Sequence, residues 1–404
     1  MRASALLIGG GVFFVTTHAG AVACDALGGP TAFFIENGDT QEPMIKRLGK
    51  QLVDTAGTKV RIVYRNRPTC ELADNFYTAR TLGTTNPVRA IRYIPTAAED
   101  PTWDPSKASP QCDMPASPPT VQLAIGATFL SSCPTPPAPV ATIKVVNGPN
   151  QAYGFIVHKA SSQVAITAEE GHLAWGFTGG TGEVTPWLDQ NLRFMRGTTA
   201  STTLTMSAAI GLQAGQMKAF TPFADSASLL TSVATAMDQQ ATIGILGGDL
   251  YDSNRDKVKM LAFKTFGQKY AYFPDSTDGK FDKQNVRDGH YLPWSPTPYI
   301  YEVDGGGVPT DATAKRLLDL IFGETTETDV DGLRSVISAG LIPQCAMKVK
   351  RDFDGGDLSL FDPDEPCGCF FEKSVPSGAS TCTVCTDNGP CGTGKCRHGY
   401  CEAK

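Results

Sequence analysis

Thr31-Ala-Phe-Phe-Ile35, the turn Asn37-Gly-Asp-Thr40 and Val60-Arg-Ile-Val-Tyr64, with Met44, Ile45, Leu48, Leu52 and Val53 between them, decide the fold. The first run reads as a buried strand that stops at the turn. The apolar series falls at i, i+1, i+4, i+8 and i+9, the spacing of one helix face. Val60–Tyr64 reads as a second strand. A strand-turn-helix-strand opening predicts parallel pairing and an α/β fold.

The alternation resumes downstream. Residues 152–158 are strand-like, and Thr167-Ala-Glu-Glu170 has the form of a capping box opening a short helix. A strand over 192–195 leads into a helix over 202–211. Strands follow over 241–246 and 258–263, and amphipathic helices over 313–322 and 330–339. Between the two regions, residues 95–139 hold 11 of the chain's 28 prolines together with Cys112 and Cys133. That predicts a long irregular insertion stapled through one of these cysteines. Residues 351–366, acidic and proline-containing, predict a linker.

The chain has 404 residues with 35 Lys+Arg against 41 Asp+Glu, a net charge of −6, and no basic run. A nucleic-acid partner is excluded, because phosphate-backbone binding needs clustered positive charge. Met1-Arg2, the apolar residues 3–15 and Ala21-Val22-Ala23 have the layout of a secretory signal ending at residue 23. No later segment reaches the length of a membrane span. Cys24 follows Ala23 directly, so a lipoprotein signal competes, and membrane attachment is expected only if Cys24 is lipidated.

Seven of the 12 cysteines fall within 367–404. In an exported chain, periplasmic or extracellular, this density predicts a disulfide-stapled module, although Cys382-x-x-Cys385 and Cys367-x-Cys369 also have zinc-ligand spacing. All 12 can pair if Cys24 is free of lipid; otherwise one is left over.

Several motifs dissolve on inspection. Gly389–Cys396 approaches a phosphate loop but lacks its Ser/Thr and follows no strand. Asp352-x-Asp354-Gly-Gly-Asp357 has Pro363 where a calcium loop needs its twelfth-position acid, so a solvated acidic loop is expected. Glu169-Glu170 belong to the capping box. The five histidines have neither an H-E-x-x-H nor a G-x-S-x-G context, so no catalytic residue, metal or cofactor is assigned and no enzyme is expected. The most informative cluster is Arg196-Gly-Thr-Thr-Ala-Ser-Thr-Thr203. A hydroxyl-rich turn at a helix N-terminus with an arginine just before it forms an anion cradle, because backbone N–H groups, helix dipole and guanidinium converge. Plain N-capping is the simpler alternative.

With these segments in hand, the chain resembles the phosphate-binding branch of the type 2 periplasmic substrate-binding proteins over about residues 31–350. Gly38-Asp39-Thr40 looks like that family's first phosphate loop, and Arg196…Ser201-Thr202 looks like its R-x-x-x-S-G-T loop. Ile243-Gly244-Ile245 with Tyr251 and Asn254 resembles its late strand-loop-helix. Thr185-Pro186-Trp187, Pro274-Asp275-Ser276, Asn285–Tyr291 and Pro343–Met347 resemble a cysteine-containing secreted subgroup.

The resemblance implies two α/β lobes joined by crossovers near 147–151 and 298–303, with a ligand between them and closure on binding. Lobe 1 would comprise 24–146 and 300–350, and lobe 2 would comprise 147–299. The implied ligand contacts are Thr40, Gln41, Thr69, Arg196, Ser201 and Thr202. The implied ligand is phosphate or another small oxyanion, and an ABC permease is the implied partner. Three positions depart from the family. Ala200-Ser201-Thr202 stands for Ser-Gly-Thr, Gln41 replaces an aromatic, and Ala127 stands where the family has a proton-accepting Asp. The rival expectation is a secreted interaction or adhesion protein built on a degenerate binding scaffold, working through its Cys-rich tail.

Overall fold

The computed structural model describes residues 22–55, 57–82, 90–177, 183–376, 378 and 381–402. Residues 1–21 of the expected signal lie outside the described residues.

The opening unit forms as its pattern predicts. β1 (Thr31–Asn37) runs parallel to β2 (Val60–Asn66), with Phe33 opposite Ile62 and Ile35 opposite Tyr64. Between them, α1 (Glu42–Asp54) buries Met44, Ile45, Leu48, Leu52 and Val53. Its one-sided apolar stripe is what packs the helix onto the sheet. Next come α2 (Thr69–Tyr77), β3 (Ile91–Tyr93), β4 (Gln111–Cys112) and β5 (Leu123–Ile125). The proline-rich insertion is stapled twice, by Cys24–Cys112 and Cys70–Cys133.

The strand expected at 152–158 is sixteen residues long: β6 (Ile143–His158). β7 (Ala165–Thr167) leads into α3 (Ala168–Gly176), whose capping box is complete, Thr167 and Glu170 each bonding the other's backbone N–H. β8 (Arg193–Phe194), α4 (Ser201–Ala209), α5 (Ser226–Ala234), β9 (Ile243–Gly247) and α6 (Gly248–Asp252) follow. The single strand expected over 258–263 is two, β10 (Val258–Met260) and β11 (Ala262–Lys264), because they pair with different partners, β6 and β7. After α7 (Gln284–Arg287), β12 (Trp294–Glu302) returns along β6. α8 (Ala312–Phe322) and α9 (Gly332–Ser338) then pack against the first half.

The main sheet runs β4-β3-β2-β1-β5-β12-β6-β9-β8, with β10 added on β6. β6 and β12 are the only two strands of that order that link its halves. β6 pairs β12 over residues 143–152 and then β9 over 153–157. β12 reaches β5 at Tyr299 and Ile300. Its register shifts between Pro296 and Pro298, where two residues lack the N–H that a ladder needs. Separate apolar clusters fill the two halves.

β13 (Val349–Lys350), β14 (Ser359–Leu360), α10 (Gly368–Ser374), β15 (Lys395–Arg397) and β16 (Tyr400–Glu402) complete the chain. One expectation changes here. Residues 351–366 are no free linker: β14 pairs β13, and Asp354 is buried, accepting hydrogen bonds from Thr128 Oγ1 (2.6 Å) and Ser132 Oγ (2.5 Å). The Cys-rich module packs on the second half. Cys367 is bonded to Cys345, and Phe370 and Phe371 of α10 join the second half's core.

Finally, all 12 cysteines pair, the module holding Cys369–Cys382, Cys385–Cys396 and Cys391–Cys401. Cys24 is thus occupied by Cys112, which leaves its sulfur unavailable for a lipid. The zinc alternative falls for the same reason, since a disulfide sulfur is not a thiolate ligand. Among the described residues no helix is long and apolar enough to cross a membrane.

Candidate functional site

A cleft lies where the two halves of the sheet face each other. It has a volume of about 660 Å³, with Asp39, Glu42, Lys46 and Arg92 on one side and Arg196, Ser226 and Asp249 on the other. The residues converge here because the strands end here. Asp39 follows the end of β1 by two positions, Arg196 follows β8, and Asp249 opens the short helix after β9. In open α/β sheets such strand-end turns are where ligands are held.

One ion pair spans the cleft. Arg196 Nη1 donates to Asp39 Oδ2 and to Ser226 Oγ (2.7 Å), Nη2 to the Ala224 carbonyl (2.9 Å) and Nε to the Phe223 carbonyl (3.1 Å). The Asp39 carboxylate also accepts from Ser226 Oγ (2.9 Å) and from the Ser226 backbone N–H (3.2 Å) at the start of α5. Arg196 is 2% exposed and the Asp39 side chain 22%. Burial alone would raise the Asp39 pKa, but the guanidinium and the two Ser226 hydrogen bonds outweigh it and hold the carboxyl below its ordinary value. A helix N-terminus, a hydroxyl and an arginine therefore form an anion cradle, and the anion in it is the protein's own.

That placement differs from the one the sequence suggested. The guanidinium turns toward α5 rather than toward α4. Ser201 and Thr202 sit in the first turn of α4, which has Ala200 at its N-cap and no side-chain cap. Both are buried, and among the described residues Thr202 Oγ1 has no hydrogen-bond partner. The Tyr153 hydroxyl donates to the Ala127 carbonyl. The Ala127 N–H donates to Thr69 Oγ1 at 3.0 Å. Thr69, Ala127 and Tyr153 thus form one buried chain of hydrogen bonds. Thr40 and Gln41 are buried as well: Gln41 Nε2 donates to Thr40 Oγ1 (3.4 Å) and Gln151 Oε1 (3.5 Å), and Gln41 Oε1 accepts from Thr297 Oγ1 (3.4 Å). Of the six expected contacts, Arg196 alone lines the open cleft; the other five lie in the packed interior beneath it.

Sequence reasoning missed Asp39 as a charged partner, although it sits inside the quoted turn, because nothing local places it against Arg196 across 157 positions. It also missed Asp249 and Tyr153. Asp249 accepts from Gln151 Nε2 at 3.0 Å. Burial, with the nearby Asp39 and Asp252 charges adding to it, pushes its pKa well above the ordinary value. Its carboxyl keeps a proton where an exposed aspartate would not. Tyr153 carries no motif; β6 delivers its ring into the interior between the halves.

No protein-family model and no curated protein matches the sequence. Solved structures do. One is a Clostridium perfringens protein described as a phosphate ABC transporter substrate-binding protein, solved with bound phosphate. It aligns at a TM-score of 0.50 and 12% identity, over 78% of this chain and 99% of that one. A Vibrio cholerae ABC-type phosphate transport receptor aligns at 0.48 and 11%, over 78% and 100%. At such identity a likeness establishes the fold alone: this chain has the two-lobed type 2 periplasmic-binding fold, extended by a disulfide-bonded C-terminal module.

Proposed function

We propose that the protein is an exported solute-binding protein that captures a small anionic ligand between its lobes, with the crossover strands β6 and β12 as the hinge. The observation that carries this reading is the occupied cradle. Arg196, Ser226 and the α5 N-terminus already hold a carboxylate, so their geometry suits an oxyanion or an organic carboxylate that takes Asp39's place. The uncapped α4 N-terminus with its orphaned Thr202 hydroxyl adds donors on the same lobe. An ABC permease touching both lobes is the partner this role calls for. The resemblance of the structure to phosphate transport receptors supports the role; phosphate itself is one candidate among small anions.

The test is calorimetric titration of the chain from Cys24 onward with phosphate and sulfate, followed by small-angle scattering. Heat with saturation, abolished by Arg196→Ala, and a smaller radius of gyration in the liganded state support capture by closure. Absence of heat with both inorganic anions and with a panel of small carboxylates refutes it. It would favour the alternative of a surface interaction protein on a closed-off scaffold, for which the internal Asp39 latch is the specific observation.

A further inference from the structure

A second cavity, of about 190 Å³, lies away from the cleft beside the two crossover strands. Asn147 and Asn150 of β6 and Trp294 and Pro296 of β12 border it, and Arg351 lines it as well. Arg351 is 7% exposed, and its guanidinium lies 4.2 Å from the Trp294 ring centroid. Among the described residues its Nε and Nη2 have no hydrogen-bond partner, and neither has the Trp294 Nε1. No carboxylate comes within 4.0 Å of it among the described residues. Asp354 acts on it from farther away, and one of its oxygens is already taken by Thr128 and Ser132.

A guanidinium has five donors, and burying the three on Nε and Nη2 unpaired is costly. Desolvation pulls the Arg351 pKa down to about 10, against the partial compensation of Asp354. At neutral pH the group stays charged. Where a buried cation keeps free donors at the edge of a cavity, a complementary anion is the natural occupant. The walls narrow its chemistry. Phe129, Pro296, Met347, Val349 and Phe361 are apolar, Asn147, Asn150 and Gln344 bring amides and Trp294 an indole, and Lys350 and Asp352 add one further charge of each sign. Lys350 and Asp352 offset each other and Asp354 partly offsets Arg351, so the lining favours a singly charged anion over a dianion.

We infer that this cavity is a second binding site, which takes a small monocarboxylate with a short apolar body, its carboxylate on Arg351 and its body against the apolar wall. The inference stands apart from the proposed function, since neither Arg196 nor any cleft residue takes part in it. Because both β6 and β12 line it, an occupant touches both strands that join the lobes.

The experiment is titration of the disulfide-intact chain with acetate, butyrate and benzoate, read by calorimetry and by tryptophan emission, with phosphate and chloride as controls. The expected result is saturable binding that strengthens from acetate to benzoate, quenches Trp294 and falls at least tenfold in Arg351→Gln. Arg196→Ala leaves it unchanged. Crystals of the unaltered chain soaked in 4-bromobenzoate locate the ligand without relying on a variant that misfolds, and the bromine is expected beside Arg351 and Trp294. Absence of saturable binding, affinity unaffected by Arg351→Gln in a folded variant, or a bromine site elsewhere overturns the inference.

Discussion

Replacing Asp39 with Asn is the most informative single change. In the unaltered chain an incoming anion must displace the Asp39 carboxylate from Arg196 and Ser226 before it gains those contacts itself. A hydrogen bond between charged groups contributes about 1.5–3 kcal/mol, and this pair is shielded enough, at 2% and 22% exposure, for that range to apply. Asp39→Asn removes the competing charge and leaves the cradle. External anions should then bind about 10- to 100-fold more tightly, since each 1.4 kcal/mol is tenfold. The same change leaves Arg196 buried without its counter-charge, so the ligand-free variant should lose about 2–4 kcal/mol of stability. Added anion should restore it by mass action.

Calorimetry with sulfate and phosphate measures the first effect, and thermal unfolding with and without anion measures the second. Tight phosphate binding by the unaltered chain that weakens in Asp39→Asn refutes the competition argument. Asp39 would then be accepting a proton from the ligand rather than standing in its place.

Asp249 predicts a pH dependence. Its folded pKa is raised while the unfolded value is about 3.9. The stability it contributes is therefore complete below the unfolded value and is lost as pH rises toward the folded one. Asp249→Asn should flatten that decline, gaining on the unaltered chain as pH goes from 4 to 8 in urea unfolding; a constant difference across that range contradicts it. Gly332→Ala places a Cβ about 2.3 Å from the Leu320 carbonyl oxygen, a backbone atom that cannot swing away, so α8 and α9 must separate. The expected loss is about 2–3 kcal/mol, read as a lower denaturation midpoint with an unchanged slope. Opening Cys345–Cys367, whose partners are 22 positions apart, by changing both to Ser should cost about 3 kcal/mol. It should also expose Phe370 and Phe371 to a hydrophobic dye.

Much of the architecture was legible from local pattern. The β1-α1-β2 unit, the Thr167–Glu170 capping box and the helices at 312–322 and 332–338 depend on periodicity and capping, which a few neighbouring residues encode. Cysteine density likewise announced the C-terminal disulfides, though not who pairs with whom. The order of short motifs along the chain announced the two-lobed fold. Charge and composition argued only against a nucleic-acid partner.

What decided the site was contact between distant segments. Asp39 and Arg196 are both visible in the sequence, yet only the approach of the strand ends turns one into the other's counter-ion. Tyr153 lies in an ordinary strand until β6 carries it to Ala127. Residues 351–366 look like a soluble linker, and burial of Asp354 and Arg351 follows from packing against the 128–132 turn and the Trp294 ring, which no local rule encodes. Backbone preference is a property of neighbours in sequence, so the sequence by itself determined the elements and their order. Burial, pairing of charge and the state of each carboxyl are properties of neighbours in space, and the tertiary structure alone decided those.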